Sequence, residues 1–119
     1  MRSFINLGLW SLFLIISLSS HAQEIQSGMF KLNRDIREFN LNENEGPRGF
    51  GYEVKFKTPF EEKPEIMLSV TSVDANTRVG IRYRVETGFV TNEGFLIKVG
   101  TWGDSKIYAL EGQWIAIEK

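Results

Sequence analysis

Residues 95–117, FLIKVGTWGDSKIYALEGQWIAI, alternate between apolar and polar side chains over much of their length. The apolar positions at the start of the stretch are Phe95, Ile97 and Val99. A period of two is typical of a β-strand, because successive side chains of a strand point to opposite faces of its sheet. The stretch therefore predicts two strands joined by a turn at Trp102–Asp104, with a bulge or break in the second strand at Gly112.

The rest of the chain after residue 22 repeats this period of two and contains no amphipathic helical pattern. The strands predicted before residue 95 span Gln26–Leu32, Tyr52–Phe56, Glu65–Val73 and Arg78–Val85. In the last of these strands, the residues expected to face the core are Val79, Ile81, Tyr83 and Val85. A polar loop is predicted at Asn40–Gly51. About six strands at regular spacing predict an all-β fold, a six-stranded antiparallel β-sandwich.

Residues 1–22 have the composition of a secretory signal peptide. An arginine near the start supplies a positive charge, Leu7–Leu18 forms an apolar run, and Ser20-His21-Ala22 places small residues at the cleavage site. The run is shorter than the ~20 residues of a membrane-spanning helix, which favours cleavage over anchoring. We expect one mature domain over residues 23–119 that is secreted or periplasmic and has no membrane contact after cleavage.

The charge and the rare residue types restrict the possible functions. The 119 residues carry 14 basic and 15 acidic side chains, a net charge of −1, which gives no basic surface for nucleic acid. Cysteine is absent, and the one histidine, His21, belongs to the predicted signal peptide. A Ser-His-Asp triad, a Cys-His pair and a zinc site with nitrogen or sulfur ligands are therefore excluded from the mature domain. No carboxylate pair of glycosidase geometry is evident either, so the sequence predicts a protein that is not an enzyme and needs no metal or cofactor.

Three groups that suit sugar binding fall outside the predicted core. Alternation places Arg82, Trp102 and Tyr108 on the sides of their strands that face away from the apolar positions. Sugar sites combine a flat aromatic ring with fixed hydrogen-bond donors, and a guanidinium is a rigid donor fork. Other interpretations stay open: Trp102 covers the rim of the sandwich, Tyr108 fills a subunit interface, and the arginines only solvate a face. Asp104 and Lys106 are expected to pair weakly with each other.

The second half of the chain contains, in order, the segments FKTPFEEKPEIMLSVTSVDA (56–75), IRYRV (81–85), GFLIKVGTWGDSKIYAL (94–110) and QWIAIE (113–118). The blocks at Thr101–Tyr108 and Trp114–Ile117 are the most specific of these. With these segments the chain resembles the H-type lectin domain, the domain of snail agglutinins and of the C-terminal part of discoidins. The resemblance implies a six-stranded sandwich that forms a homotrimer and binds N-acetylgalactosamine (GalNAc) or galactose, without metal, in clefts between protomers.

The resemblance also implies roles for individual residues. Arg82 falls on the family's ligand-binding arginine, Trp102 on the tryptophan that lines the site, and Tyr108 on the aromatic residue beside it. Gly103 falls where some members have a histidine that hydrogen-bonds the sugar, so this contact is missing here.

The family's acidic site residue lies in a loop near the start of the domain and accepts hydrogen bonds from sugar hydroxyls. It falls on Glu45 or on Glu43. These assignments predict a secreted lectin whose partners are GalNAc- or galactose-type glycans. The alternative is a trimeric adhesion or assembly module that keeps the fold and has lost sugar binding, which the missing histidine at Gly103 favours.

Overall fold

The computed structural model of the protein describes residues 23–119, so the predicted signal peptide and its cleavage point lie outside the described residues. The strands, in chain order, are β1 (Ile25–Asn33), β2 (Arg48–Lys55), β3 (Glu65–Ala75), β4 (Arg84–Val90), β5 (Gly94–Thr101) and β6 (Ile107–Ile117). They form two three-stranded antiparallel sheets, in the orders β1-β6-β3 and β2-β5-β4. The predicted all-β architecture of six antiparallel strands is confirmed. Over residues 23–119 the structure has no helix that is long and apolar enough to span a membrane.

The two sheets enclose a core of aromatic and aliphatic side chains. Phe95, Ile97 and Val99, the predicted inward positions of β5, are at most 3% exposed. The Trp114 ring lies 5.4 Å from the Phe95 ring and 5.9 Å from the Phe56 ring, measured between centroids. Aromatic clusters of this kind stabilise a core beyond the area that they bury. These contacts pack β5 against β6 of the opposite sheet, and β5 leads directly into the loop that carries Trp102.

Strand β6 runs without interruption through Gly112, so the predicted break at this position is wrong. Gly112 pairs with Phe30 of β1 on one side and with Val70 of β3 on the other. A Cβ atom at Gly112 would lie 2.7 Å from Cε1 of Phe30 and would also collide with the backbone oxygen of Ser69. The glycine therefore allows a close approach of neighbouring groups and does not end the strand. The irregularity lies in β3 instead, between Val70 and Ser72.

The predicted strand Arg78–Val85 becomes part of a sheet only at Arg84, the first residue of β4. Ile81 and Tyr83 are 49% and 37% exposed, so their predicted core positions are wrong, whereas Val85 does pack against the core. Residues 76–83 connect the two sheets, and backbone groups in this connection bond to side-chain hydroxyls at the end of β5 and in the β5–β6 loop instead of to a neighbouring strand.

Strand β2 begins at Arg48, inside the predicted loop, because half-buried Phe50 continues the inward alternation. The intervening glycines leave two outward positions of β2 without a side chain. Gly49 pairs with Gly100 of β5, and Gly51 pairs with the next outward position along that strand, Lys98.

Candidate functional site

Three connections between strands meet at one end of the sandwich, namely residues 34–47, 76–83 and 102–106. The backbone N–H of Gly46 donates to the carbonyl oxygen of Gly103 at 2.9 Å, and Nζ of Lys106 donates to the carbonyl oxygen of Asn44. Asn44 and Gly46 have positive φ angles of 60° and 79°, in the left-handed region that asparagine and glycine tolerate best. The first connection is thereby held against the third.

Arg48 joins these connections from the start of β2. Its guanidinium donates to the carbonyl oxygens of Gly46 at 2.6 Å, of Gly103 at 3.3 Å and of Ser105. One planar donor fork thus satisfies carbonyl groups from two loops, which a lysine ammonium on its flexible stem could not do with the same geometry. Arg48 is consequently a structural residue that fixes the loop end.

The backbone of Arg82 is held by two buried hydroxyl groups. Ser105, which is fully buried, accepts the Arg82 N–H at 2.8 Å and donates to the carbonyl oxygen of Gly80 at 2.6 Å. Thr101, 2% exposed, donates its hydroxyl to the carbonyl oxygen of Arg82. These bonds take the place of strand pairing, because buried backbone groups need partners from some source. They explain why an alternating segment does not form a strand here.

The Arg82 guanidinium lies beside two glycines and one carboxylate. A Cβ atom on Gly80 would lie 2.8 Å from Cζ of Arg82, and one on Gly103 would lie 3.2 Å from its Nη1. Nη1 donates to Oδ1 of Asp104 at 2.9 Å. The predicted pairing of Asp104 with Lys106 is wrong, since Asp104 bonds to Arg82 and Lys106 bonds to a backbone oxygen. The Arg82 side chain is 41% exposed, so its fork remains accessible to a ligand.

Trp102 is 40% exposed and lies at the end of the outer face of the β2-β5-β4 sheet. The Arg84 guanidinium carbon lies 5.5 Å from the centroid of the Trp102 ring. A cation–π contact of this kind contributes about 0.5–1 kcal/mol at an exposed site and restrains the orientation of the indole. The indole is thus presented to solvent in a defined orientation.

The third predicted aromatic residue, Tyr108, lies near the start of β6 and so belongs to the other sheet. It is 36% exposed, as predicted from its alternation. No hydrogen bond or ring contact joins it to Arg82 or Trp102 in the described part of the chain. One chain therefore exposes the three groups, and no hydrogen bond or ring contact joins any two of them in the described residues.

The two candidate acids lie in the loop between β1 and β2, and both are exposed. Glu45 directly precedes Gly46, whose N–H bonds to Gly103, so its backbone adjoins the β5–β6 loop. Glu43 lies in a turn in which its own N–H donates to the carbonyl oxygen of Asn40 at 3.4 Å. Glu45 is therefore the candidate acid whose neighbour in the chain is hydrogen-bonded to Gly103, the glycine beside the Arg82 guanidinium.

A shallow open depression of about 840 Å³ covers the outer face of the β2-β5-β4 sheet. Its lining includes three glycines together with Arg84 and Trp102, but it does not include Arg82. No group of three or more His, Cys, Asp or Glu residues within residues 23–119 could hold a metal ion. The end of the sandwich thus offers fixed hydrogen-bond donors, an exposed indole and exposed carboxylates.

Sequence reasoning did not identify Arg48, Thr101 or Ser105 as determinants of the site. The hydroxyl residues belong to the most specific block of the sequence, TWGDSKIY, and this is the one signal that could have indicated them. Nothing in the pattern around Arg48 distinguishes it from a solvated surface arginine. Its role depends on the carbonyl groups of Gly103 and Ser105, which lie more than fifty residues away in the sequence.

The domain is a small all-β sandwich whose end loops present fixed polar groups and an exposed indole, the combination of groups that sugar-binding sites use. The sequence model of the H-type lectin domain matches residues 52–117, and the chain belongs to that family. The predicted family and the lectin-type character of the domain are thereby confirmed.

Relatives in two organisms share this similarity. Discoidin-2 of Dictyostelium discoideum is 28% identical over 110 residues, which cover 92% of this chain and 41% of that protein. A Fuscovulum blasticum protein described as "ATP synthase subunits region ORF 7" is 31% identical over 72 residues, 60% of this chain and 63% of that one. The structure of wild-type discoidin II from D. discoideum superimposes with a TM-score of 0.73 at 27% identity, covering 84% of this chain and 38% of that one. The chain thus spans less than two thirds of each of these relatives.

Proposed function

We propose that this domain is a secreted or periplasmic lectin that binds GalNAc- or galactose-type sugars as a homotrimer, without a metal ion and without catalysis. The observation that carries the proposal is the half-exposed guanidinium of Arg82, which lies beside Gly80 and Gly103 and is held by Asp104 at the loop end of the sandwich. A donor fork fixed in this way can bond two neighbouring hydroxyls of a sugar. Membership of the lectin-type family supports this use of the fork.

Each predicted residue has a chemical role in the proposed site. Arg82 donates hydrogen bonds to sugar hydroxyls, and an exposed glutamate, Glu45 or Glu43, accepts them. The apolar C–H face of the sugar ring rests on Trp102, whose orientation Arg84 restrains.

The separation of Tyr108 from the other groups supports a site that two protomers share. Tyr108 lies in the β1-β6-β3 sheet, whereas Trp102 follows the β2-β5-β4 sheet. A neighbouring protomer in a trimer would supply the aromatic group that a single chain does not place beside Arg82. The homotrimer is therefore part of the proposed binding mechanism.

A second candidate function is an adhesion or assembly module that keeps the trimer and does not bind sugar. The specific observation in its favour is that Gly103 has no side chain and that the adjoining Arg82 already bonds to Asp104. An oligomer whose subunits contact each other through the sheet faces would need neither a side chain at position 103 nor a free Arg82 guanidinium.

A glycan array and calorimetry with free GalNAc test the lectin proposal on purified protein. Trp102→Ala and Arg82→Ala should each abolish binding while leaving the sedimentation equilibrium of the trimer unchanged. Phe89→Ala is the matched control for Trp102, because Phe89 is a 79% exposed aromatic at the opposite end of β4. Arg78→Ala, an exposed arginine in the same connection, is the control for Arg82. Absence of glycan binding by the wild type, or unchanged binding by Trp102→Ala, would rule out the lectin and leave the adhesion module.

A further inference from the structure

The Arg82 guanidinium has one charged partner and two donor positions to spare. Its Nη1 bonds to Oδ1 of Asp104 at 2.9 Å, whereas Nε and Nη2 have no hydrogen-bond partner among residues 23–119. Both side chains are partly exposed, 41% for Arg82 and 53% for Asp104. The carboxylate therefore occupies one edge of the fork and leaves the remainder to a ligand.

The backbone contacts alone do not fix this arrangement. Ser105 and Thr101 hold the main chain of Arg82, and the glycines at 80 and 103 only leave room for the guanidinium. A long arginine side chain has several rotamers of similar energy, and fixing one of them requires a directional contact. Asp104 supplies that contact from the loop that also supplies Ser105.

The same carboxylate changes the charge that a ligand meets. Three other cations near this end are engaged elsewhere, since Arg48 bonds to backbone carbonyls, Lys106 to Asn44, and Arg84 lies over Trp102, whereas Arg78 in the same connection as Arg82 is exposed. Asp104 is the acid that lies within ion-pair distance of Arg82 in the described residues. An unpaired guanidinium prefers carboxylate, sulfate or phosphate groups, which it binds in bidentate fashion. A guanidinium whose charge is offset by a neighbouring carboxylate attracts a second anion less strongly, and its free N–H groups remain available to neutral hydroxyls.

We infer that Asp104 is a positioning residue that orients Arg82 and restricts the site to neutral sugars, against sugars that carry a carboxylate or sulfate. This inference rests on the proposed lectin function for its ligand. Its claim about Arg82 itself can be tested without any sugar.

The test compares Asp104→Asn with wild type on 15N-labelled protein, with inorganic sulfate and free GalNAc as probes. The Nε–Hε signal of Arg82, assigned by its loss in Arg82→Lys, reports on the guanidinium. We expect sulfate to leave this signal unchanged in wild type and to shift it saturably in Asp104→Asn. GalNAc affinity should fall roughly tenfold in Asp104→Asn, the effect of about one well-placed hydrogen bond. Asp104→Glu should restore the resistance to sulfate.

Glu111→Gln is the matched control, because Glu111 forms a similar exposed ion pair with Lys31 at 3.6 Å in the other sheet. It should behave as wild type with both probes. A saturable sulfate shift of Arg82 in the wild type would overturn the inference, whether or not Asp104→Asn folds. So would an Asp104→Asn variant with wild-type GalNAc affinity and no sulfate response. If the wild type binds no sugar, the lectin proposal fails, and the sulfate arm still decides the role of Asp104.

Discussion

Replacing Ser105 by alanine removes the group that holds Arg82 to the β5–β6 loop. The hydroxyl is fully buried, accepts the Arg82 N–H at 2.8 Å and donates to the Gly80 carbonyl at 2.6 Å. Each lost bond costs about 0.5–1.5 kcal/mol, and the Arg82 N–H has no obvious replacement partner. We expect Ser105→Ala to lower the free energy of unfolding by about 2 kcal/mol, or the melting temperature by roughly 10 °C for a domain of this size.

Urea unfolding followed by tryptophan fluorescence measures this loss, because Trp114 is 8% exposed in the native core and becomes exposed on unfolding. Ser69→Ala, at an exposed position of β3, is the control and should change stability by less than about 0.5 kcal/mol. Thr101→Val removes the other hydroxyl that holds Arg82, and the double variant should lose less than the sum of the two. A Ser105→Ala variant as stable as wild type would refute the view that these hydroxyls replace strand pairing.

Further substitutions test other steps of the reasoning. Gly112→Ala should destabilise the domain by about 2–3 kcal/mol in urea unfolding, since the added Cβ would meet the backbone of β3. Gly100→Ala is the control and should be tolerated, because a Cβ at Gly100 would lie 3.4 Å from its nearest neighbour. Gly103→Ala should cost about 1–2 kcal/mol, because this residue has a φ of 66°. Mass spectrometry of the exported protein should find Gln23 at its N-terminus; an uncleaved chain would contradict the predicted signal peptide.

The sequence predicted strands well wherever alternation and burial agree. For β5, the period of two identified the inward face correctly, because hydrogen bonding and burial both follow the strand there. The same period failed for Ile81 and Tyr83, which are exposed and not part of the core. A period of two reports only that alternate positions are apolar, and it contains no information about which partner satisfies the backbone. The deciding partners are the hydroxyls of Thr101 and Ser105, about twenty residues away.

Gly112 illustrates a second limit of sequence reasoning. A glycine inside an alternating stretch is compatible with a bulge, with a strand end and with a close approach of two groups. The choice here depends on the Phe30 ring and the Ser69 carbonyl, which are brought to Gly112 by pairing across two strands. Such contacts between distant segments cannot be obtained from the local pattern.

At the candidate site, too, exposure could be predicted from the local sequence pattern, whereas contacts between distant segments could not. Alternation was sufficient to predict that Trp102 and Tyr108 are exposed, because exposure follows from the face of a strand. The partner of Asp104 was predicted as Lys106, its neighbour in sequence, and is Arg82 instead. The partner of a charged residue in a loop depends on which other loops lie beside it in the fold. The alternation of residues within one strand contains no information about that arrangement.

The hydrogen bonds that order the loops should also affect the affinity of the proposed site for a ligand. The domain has no disulfide, and the connections at its loop end are linked through single side chains: Arg48 bonds to two loops, and the hydroxyls of Thr101 and Ser105 bond to a third. A site that is already ordered loses less conformational entropy when a ligand binds. A shallow, open site gains little from buried area, so its affinity depends strongly on this order and on the linkage of several sites. Loosening Ser105 should therefore weaken ligand binding as well as stability, although Ser105 is buried and does not reach the ligand.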